Sequence, residues 1–150
     1  MRPIIARVIT VTLLVSAVRV VSALASQPPY PLLANAHGLR VYGPPSRPNV
    51  CPHLLALPPN ALSTAQRAVA LGMPPFEARV KLNGRDPVVS VKAAVHSGFF
   101  ATAGGCGRLT WKRSGVAFVR LPHVRSASLS HHTFAVGRIR AGWVLWSMIH

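Results

Sequence analysis

Acidic residues are almost absent from this chain. Across 150 residues there are two, Glu77 and Asp86, against 17 lysines and arginines, and the formal net charge is +15. Any chemistry built on paired carboxylates would have to use both acids at once. They flank Asn83-Gly84 and read as a strand-edge residue and a turn residue within reach of Arg79 or Arg85, which sets glycosidase-type use aside. Cysteine is equally scarce, with Cys51 and Cys106 alone. There is no C-x-x-C, no H-x-x-x-H and no H-E-x-x-H among seven histidines. The adjacent His131 and His132 point to opposite faces of a strand, so they cannot share one ion, and no metal site is expected. Gly104-Gly105-Cys106-Gly107 lacks the Lys-Ser/Thr of a phosphate-binding loop and the spacing of a dinucleotide fingerprint. No G-x-S-x-G is present, and Ser126-Ala127-Ser128-Leu129-Ser130 reads as the opening of a strand. No cofactor is implied.

What the chain has in excess is positive charge, and 14 of its 17 cations are arginine. A surface of one sign attracts polyanions of every kind: nucleic acid, anionic headgroups, acidic polymers. GC-rich codons inflate the same residues without selection, and a mistranslated frame would look similar, although coherent strand patterns argue against the latter. Arg108, Lys112, Arg113, Arg120, Arg138 and Arg140 cluster loosely around Trp111 and Phe118 and form the candidate polyanion-binding set, with a solvated face as the plainer reading. No sequence signature of a nucleic-acid module accompanies them.

Residues 1–25 read as a secretory signal peptide: Arg2 and Arg7, an apolar stretch over 8–18, then Ala23-Leu24-Ala25 as a cleavage site. Arg19 interrupts the apolar run, which is too short for an ordinary span. An uncleaved N-terminal membrane anchor stays open as an alternative. The expected location is secreted or extracytoplasmic, where nucleic acid is an unlikely natural partner and an anionic polymer or cell-surface partner is the natural one. In such a compartment two cysteines most economically pair, so a Cys51–Cys106 disulfide is expected.

Residues 26–59 are proline-rich and read as a mobile or extended arm, with 39–42 as a candidate short strand. A single domain is expected over 60–150. Residues 60–71 predict a helix, with Ser63 and Gln66 as a capping box, Gly72 past its end and Pro74-Pro75 as its stop. Residues 77–82 alternate as a strand, Asn83-Gly84 reads as a hairpin turn, and 88–96 as the return strand with Val89, Val91, Ala93 and Val95 on the core side. Residues 108–121 read as one strand bulged at Gly115, with a turn at 112–115 as the rival. Further strands are expected at 129–139 and 143–149. The last is apolar on both parities and should be covered on both faces. Trp111, Trp143 and Trp146 are expected as packing residues, not as a stacking platform.

The tail, from Cys106-Gly107 and Trp111 through Ser126-Ala127-Ser128-Leu129-Ser130 to Gly142-Trp143 and Trp146, resembles small exported proteins of unknown function from high-GC bacteria. That resemblance covers about the last 45 residues. It implies export and a strand-rich tail, and it carries no activity.

The element order predicts an α+β domain: one helix packed on a curled antiparallel meander of about five strands, in a cystatin-like or NTF2-like layout. The function expected is a non-catalytic binding or interaction module for a polyanion or protein partner. The alternative is a small NTF2-like pocket enzyme, which a pocket joining His96, His132 and a carboxylate would favour.

Overall fold

The computed structural model describes residues 29–47, 50–97 and 106–149. The signal-peptide reading and most of the glycine-rich loop lie outside these residues. Eight elements follow one another: β1 (Leu32–Ala36), β2 (Leu39–Tyr42), α1 (Leu62–Ala78), β3 (Val88–Ala93), α2 (Gly107–Lys112), β4 (Ser114–Arg120), β5 (His131–Ile139) and β6 (Gly142–Ile149). The strands form one open six-stranded sheet in the order β1-β2-β6-β5-β4-β3. All neighbours are antiparallel except β2 and β6, which run parallel through Val41↔Trp143 and Tyr42↔Val144.

This corrects the expected five-strand curled meander. The sheet is mixed, has six strands and is not wrapped around the helix. The difference arises in the proline-rich stretch, which supplies two paired strands instead of a free arm: the short strand expected at 39–42, and β1, which was not expected. His37 and Gly38 take positive φ and turn β1 back on β2. Pairing β2 with β6 then places β6 inside the sheet. As its sequence requires, β6 is buried on both sides: Trp143 and Leu145 on one, Val144 and Trp146 on the other.

The first face is covered by α1. Ala65, Ala68, Val69 and Met73 are fully buried against Val41, Phe134, Val136 and Leu145. The helix passes its expected stop. Pro74 and Pro75 lie inside it, although each removes a backbone donor and crowds the preceding turn at a cost of about 3 kcal/mol. Beyond them Phe76 meets Phe134 edge-on at 5.3 Å and Glu77 is buried, so the extra turn is held by packing. Gly72 is consequently not a cap. It lies where a Cβ would come within 2.9 Å of Val41, so it lets the helix approach β2. The capping box does not form either: α1 runs on from a 3₁₀ turn at Pro59–Ala61 and has no side-chain cap.

The strand expected over 77–82 is absent. Its apolar parity has no core to face, since Val80 is 61% exposed. Lys81 and Asp86 adopt positive φ, which breaks an extended run, and Asn83-Gly84 joins no hairpin. Pro87 stands immediately before β3 and Val89 and Val91 pack inward, as read from the sequence, but the strand ends at Ala93: residues 94–96 form a 3₁₀ turn, which leaves Val95 exposed instead of on the core side.

The second face is covered by residues 50–57 and by α2. Residues 108–112, expected in a strand, are helical. The apparent alternation of Leu109 with Trp111 was not a burial pattern, because Leu109 is exposed while Trp111 packs on Trp146 at 5.0 Å. Trp146 Nε1 donates to Ser114 Oγ, which donates to the Thr110 carbonyl, so a buried hydroxyl fixes the joint between α2 and β4. All three tryptophans are core residues.

Residues 50–57 contain no helix or strand before Pro59 and are held by discrete bonds. Cys51 and Cys106 form a disulfide. Leu55 N–H donates to the Arg138 carbonyl, and Arg113 donates to the Leu54 carbonyl. Leu54 fills the space left by Gly137. Reducing the Cys51–Cys106 bond, whose partners are 55 residues apart, is expected to lower the unfolding free energy by about 4 kcal/mol through loop-closure entropy. Urea unfolding followed by tryptophan fluorescence, with and without reductant, measures this. Unchanged midpoints would show that residues 50–57 hold their place without the bond.

Candidate functional site

The sheet has two ends of different chemistry. At one, the β5–β6 hairpin presents Arg138 and Arg140 beside Arg40, the second residue of β2. The three arginines line a cleft of about 590 Å³ together with Asn60 from the 3₁₀ turn before α1, Thr64 from its first turn, and Trp143. Gly142 makes the approach possible. Its φ is +151°, and a Cβ there would collide with the Arg40 carbonyl oxygen. None of the three guanidinium groups has a protein partner among the described residues. On the other side of the same hairpin a second cleft of about 550 Å³ is lined by Tyr30, Leu54, Leu55, Leu109, Arg113 and Arg140, among others.

The sequence-derived basic set is thus divided. Arg113, Arg138 and Arg140 lie at the hairpin end, with Arg113 engaged by the Leu54 carbonyl. Arg108 and Lys112 are exposed on α2. Arg120 is at the far end of β4, opposite His131 and Val88, and joins none of them. Arg40 was missed. Its nearness to Gly142 depends on the parallel β2–β6 pairing, for which the local sequence has no signal.

The opposite end holds both acids, and each faces a histidine rather than an arginine. Asp86 Oδ2 lies 3.1 Å from His123 Nε2 in an exposed pair. Glu77 is fully buried, with Oε1 3.4 Å from His132 Nε2, a distance suited to an ion pair and lacking the alignment of a hydrogen bond. Loss of solvent raises the Glu77 pKa above the ordinary carboxylate range, and the His132 charge opposes the rise. His96 does not join this pair. It follows β3 at the end where Ala93 meets Gly115, whereas His132 pairs with Val119 near the other end. His131 turns away toward Ser130 and the Ala127 carbonyl. Among the described residues no three His, Cys, Asp or Glu side chains group as metal ligands.

Compared with family models, curated proteins and solved structures, the chain has no match.

The Glu77 environment has a measurable consequence. The folded protein holds the Glu77 proton more tightly than the unfolded chain does. Stability from this group is therefore full below the unfolded pKa and is lost as pH rises through the folded one. Glu77→Gln keeps a polar side chain of the same size but removes the buried charge, and should stabilise the protein at pH 7.5 by about 1–3 kcal/mol, the scale of an uncompensated buried polar group. The gain should shrink toward zero near pH 4, where an ordinary carboxyl is half protonated. Thermal unfolding from pH 4 to pH 8 reads both limbs. A loss of stability at pH 7.5 would mean that the His132 pair outweighs desolvation.

Proposed function

We propose that this protein is an exported, non-catalytic domain that binds an anionic polymer at the end of the sheet carrying the β5–β6 hairpin. One observation carries the reading. Arg40, Arg138 and Arg140 line one cleft with no carboxylate, while the only two acids of the sequence sit at the other end. The cluster therefore has no internal counterion, and an external anion is the group that relieves it.

Two further features support it. The 17-residue α1 begins at this cleft, so the positive end of its dipole adds to the arginines instead of offsetting them. The disulfide fits an oxidising compartment and so favours export. No helix among the described residues is long and apolar enough to cross a membrane. The paired Glu77 and His132 line neither hairpin cleft, and Glu77 is closed to solvent, so this pair is read as structural.

Binding of fluorescein-labelled heparin to the full chain tests the reading. The double variant Arg138→Gln/Arg140→Gln should weaken binding about tenfold or more, the equivalent of 1.4 kcal/mol per decade, and should flatten the salt dependence. Arg79→Gln/Arg125→Gln removes the same charge from exposed sites at the other end and should change affinity less than about twofold, since exposed charges beyond a screening length contribute little. Equal losses in the two variants would show that attraction is diffuse and that the cleft is not the site.

A further inference from the structure

The second cleft is unlike the first. Its wall is the same hairpin, with Ile139, Arg140 and Ala141 common to both, but its other side is richer in apolar groups, with Leu54, Leu55, Leu109 and Pro52 beside His53, Thr110 and Arg113. Leu109 is 60% exposed and Leu55 37% exposed, and both line it. Leu109 lies on α2 between the exposed Arg108 and Lys112. Leu32 and Leu129 are exposed too, but neither lines this cleft, whereas Leu55 and Leu109 line it together with Arg140; exposed leucine beside exposed cations is the composition that suits the boundary layer of a bilayer. The leucines enter the acyl boundary, and the cations remain at the phosphates.

We propose that the anionic ligand is a membrane surface: the hairpin end docks on an anionic bilayer, with Leu55 and Leu109 inserted and Arg138, Arg140 and Lys112 at the headgroups. This rests on the anion-binding reading above and adds to it the apolar half of the contact. A soluble polyanion would use the arginines and gain nothing from the leucines. A bilayer uses both. Charge complementarity favours the same orientation, since both carboxylates of the chain lie at the other end of the sheet and would be held away from the lipid phosphates.

The test uses the full chain with vesicles of phosphatidylcholine alone and with roughly a third phosphatidylglycerol, by sedimentation and by hydrogen exchange. Wild-type protein should prefer the anionic vesicles, and vesicle binding should slow exchange of amides in α2 and residues 53–56. Leu55→Ser/Leu109→Ser should lower partition to anionic vesicles about fivefold or more, in line with removal of buried apolar area, while heparin affinity stays at the wild-type value. Leu109→Ser alone should keep the wild-type melting temperature, since Leu109 is the more exposed of the two; where the double variant loses stability, the single variant and the exchange pattern of the wild-type chain decide. Vesicle binding that ignores the leucines, or exchange protection confined to the N-terminal segment, overturns the bilayer proposal and leaves anion binding intact. Loss of heparin binding in Arg138→Gln/Arg140→Gln without any vesicle preference in the wild type would identify a soluble polymer or an acidic protein as the ligand. Absence of binding to both probes removes both readings.

Discussion

A sheet strand that is apolar on both parities has to be covered twice, and that demand governs this molecule. β6 places Trp143 and Leu145 on one face and Val144 and Trp146 on the other. A helix satisfies the first face, since α1 carries its own backbone hydrogen bonds to the surface it covers. The second cover is largely a stretch without regular structure, which brings backbone groups that have no built-in partners. Its position is therefore fixed by individual bonds: a disulfide, the Leu55–Arg138 backbone contact and the Arg113 guanidinium on Leu54. Two of the three touch the β5 end or the α2–β4 joint. Covering the second face thus also assembles the surface around the hairpin, where Leu55, Leu109 and the arginines meet.

The distribution of charge follows from the same arrangement. α1 starts beside the hairpin and ends beside His132, so its axis spans the two ends of the sheet. Its C-terminal turn brings Glu77 inside, and the connection to β3 brings Asp86 against His123. Both acidic side chains thus face histidines of the β4–β5 side, one from the last turn of α1 and one from the connection that follows it. What remains at the other end is positive side chains together with the positive end of a helix dipole. Such a field costs stability through self-repulsion, and it persists at the hairpin because the repelling groups are exposed or line an open cleft, where water screens them.

Those parts of the fold with local causes were legible in the sequence. The period-2 run over 88–93 located β3, the two-sided apolar pattern of β6 gave both its position and its central place, and the count of cysteines gave the disulfide. The failures each have a nonlocal cause. Pro74-Pro75 is a helix stop by every local rule, and it was overridden by Phe76 on Phe134, a contact with a residue far along the chain. The alternation over 77–82 was genuine as a pattern but had no apolar surface to face. Residues 108–112 are too few for a period to distinguish strand from helix, and the Trp111–Trp146 contact decided it. For the site, Arg138 and Arg140 were found as neighbours in sequence, whereas Arg40 joins them only through a parallel pairing across about a hundred residues.

The two ends also differ in what their side chains are needed for, and this bears on where function resides. Glu77 has no solvent contact and a single partner in reach, so altering it acts on the fold first. A general base has to reach the proton it takes, which a carboxylate enclosed in this way does not do. Arg138 and Arg140 are exposed, their side chains hold nothing together among the described residues, and the backbone of the hairpin is fixed by β-pairing and by Gly142 rather than by the arginines. Side chains with no structural duty on a rigid element are free to be used for recognition, because their geometry is set by the scaffold and their replacement leaves it standing. By that criterion the proposed anion binding is assigned to the hairpin end, and the enclosed Glu77–His132 pair is read with the scaffold.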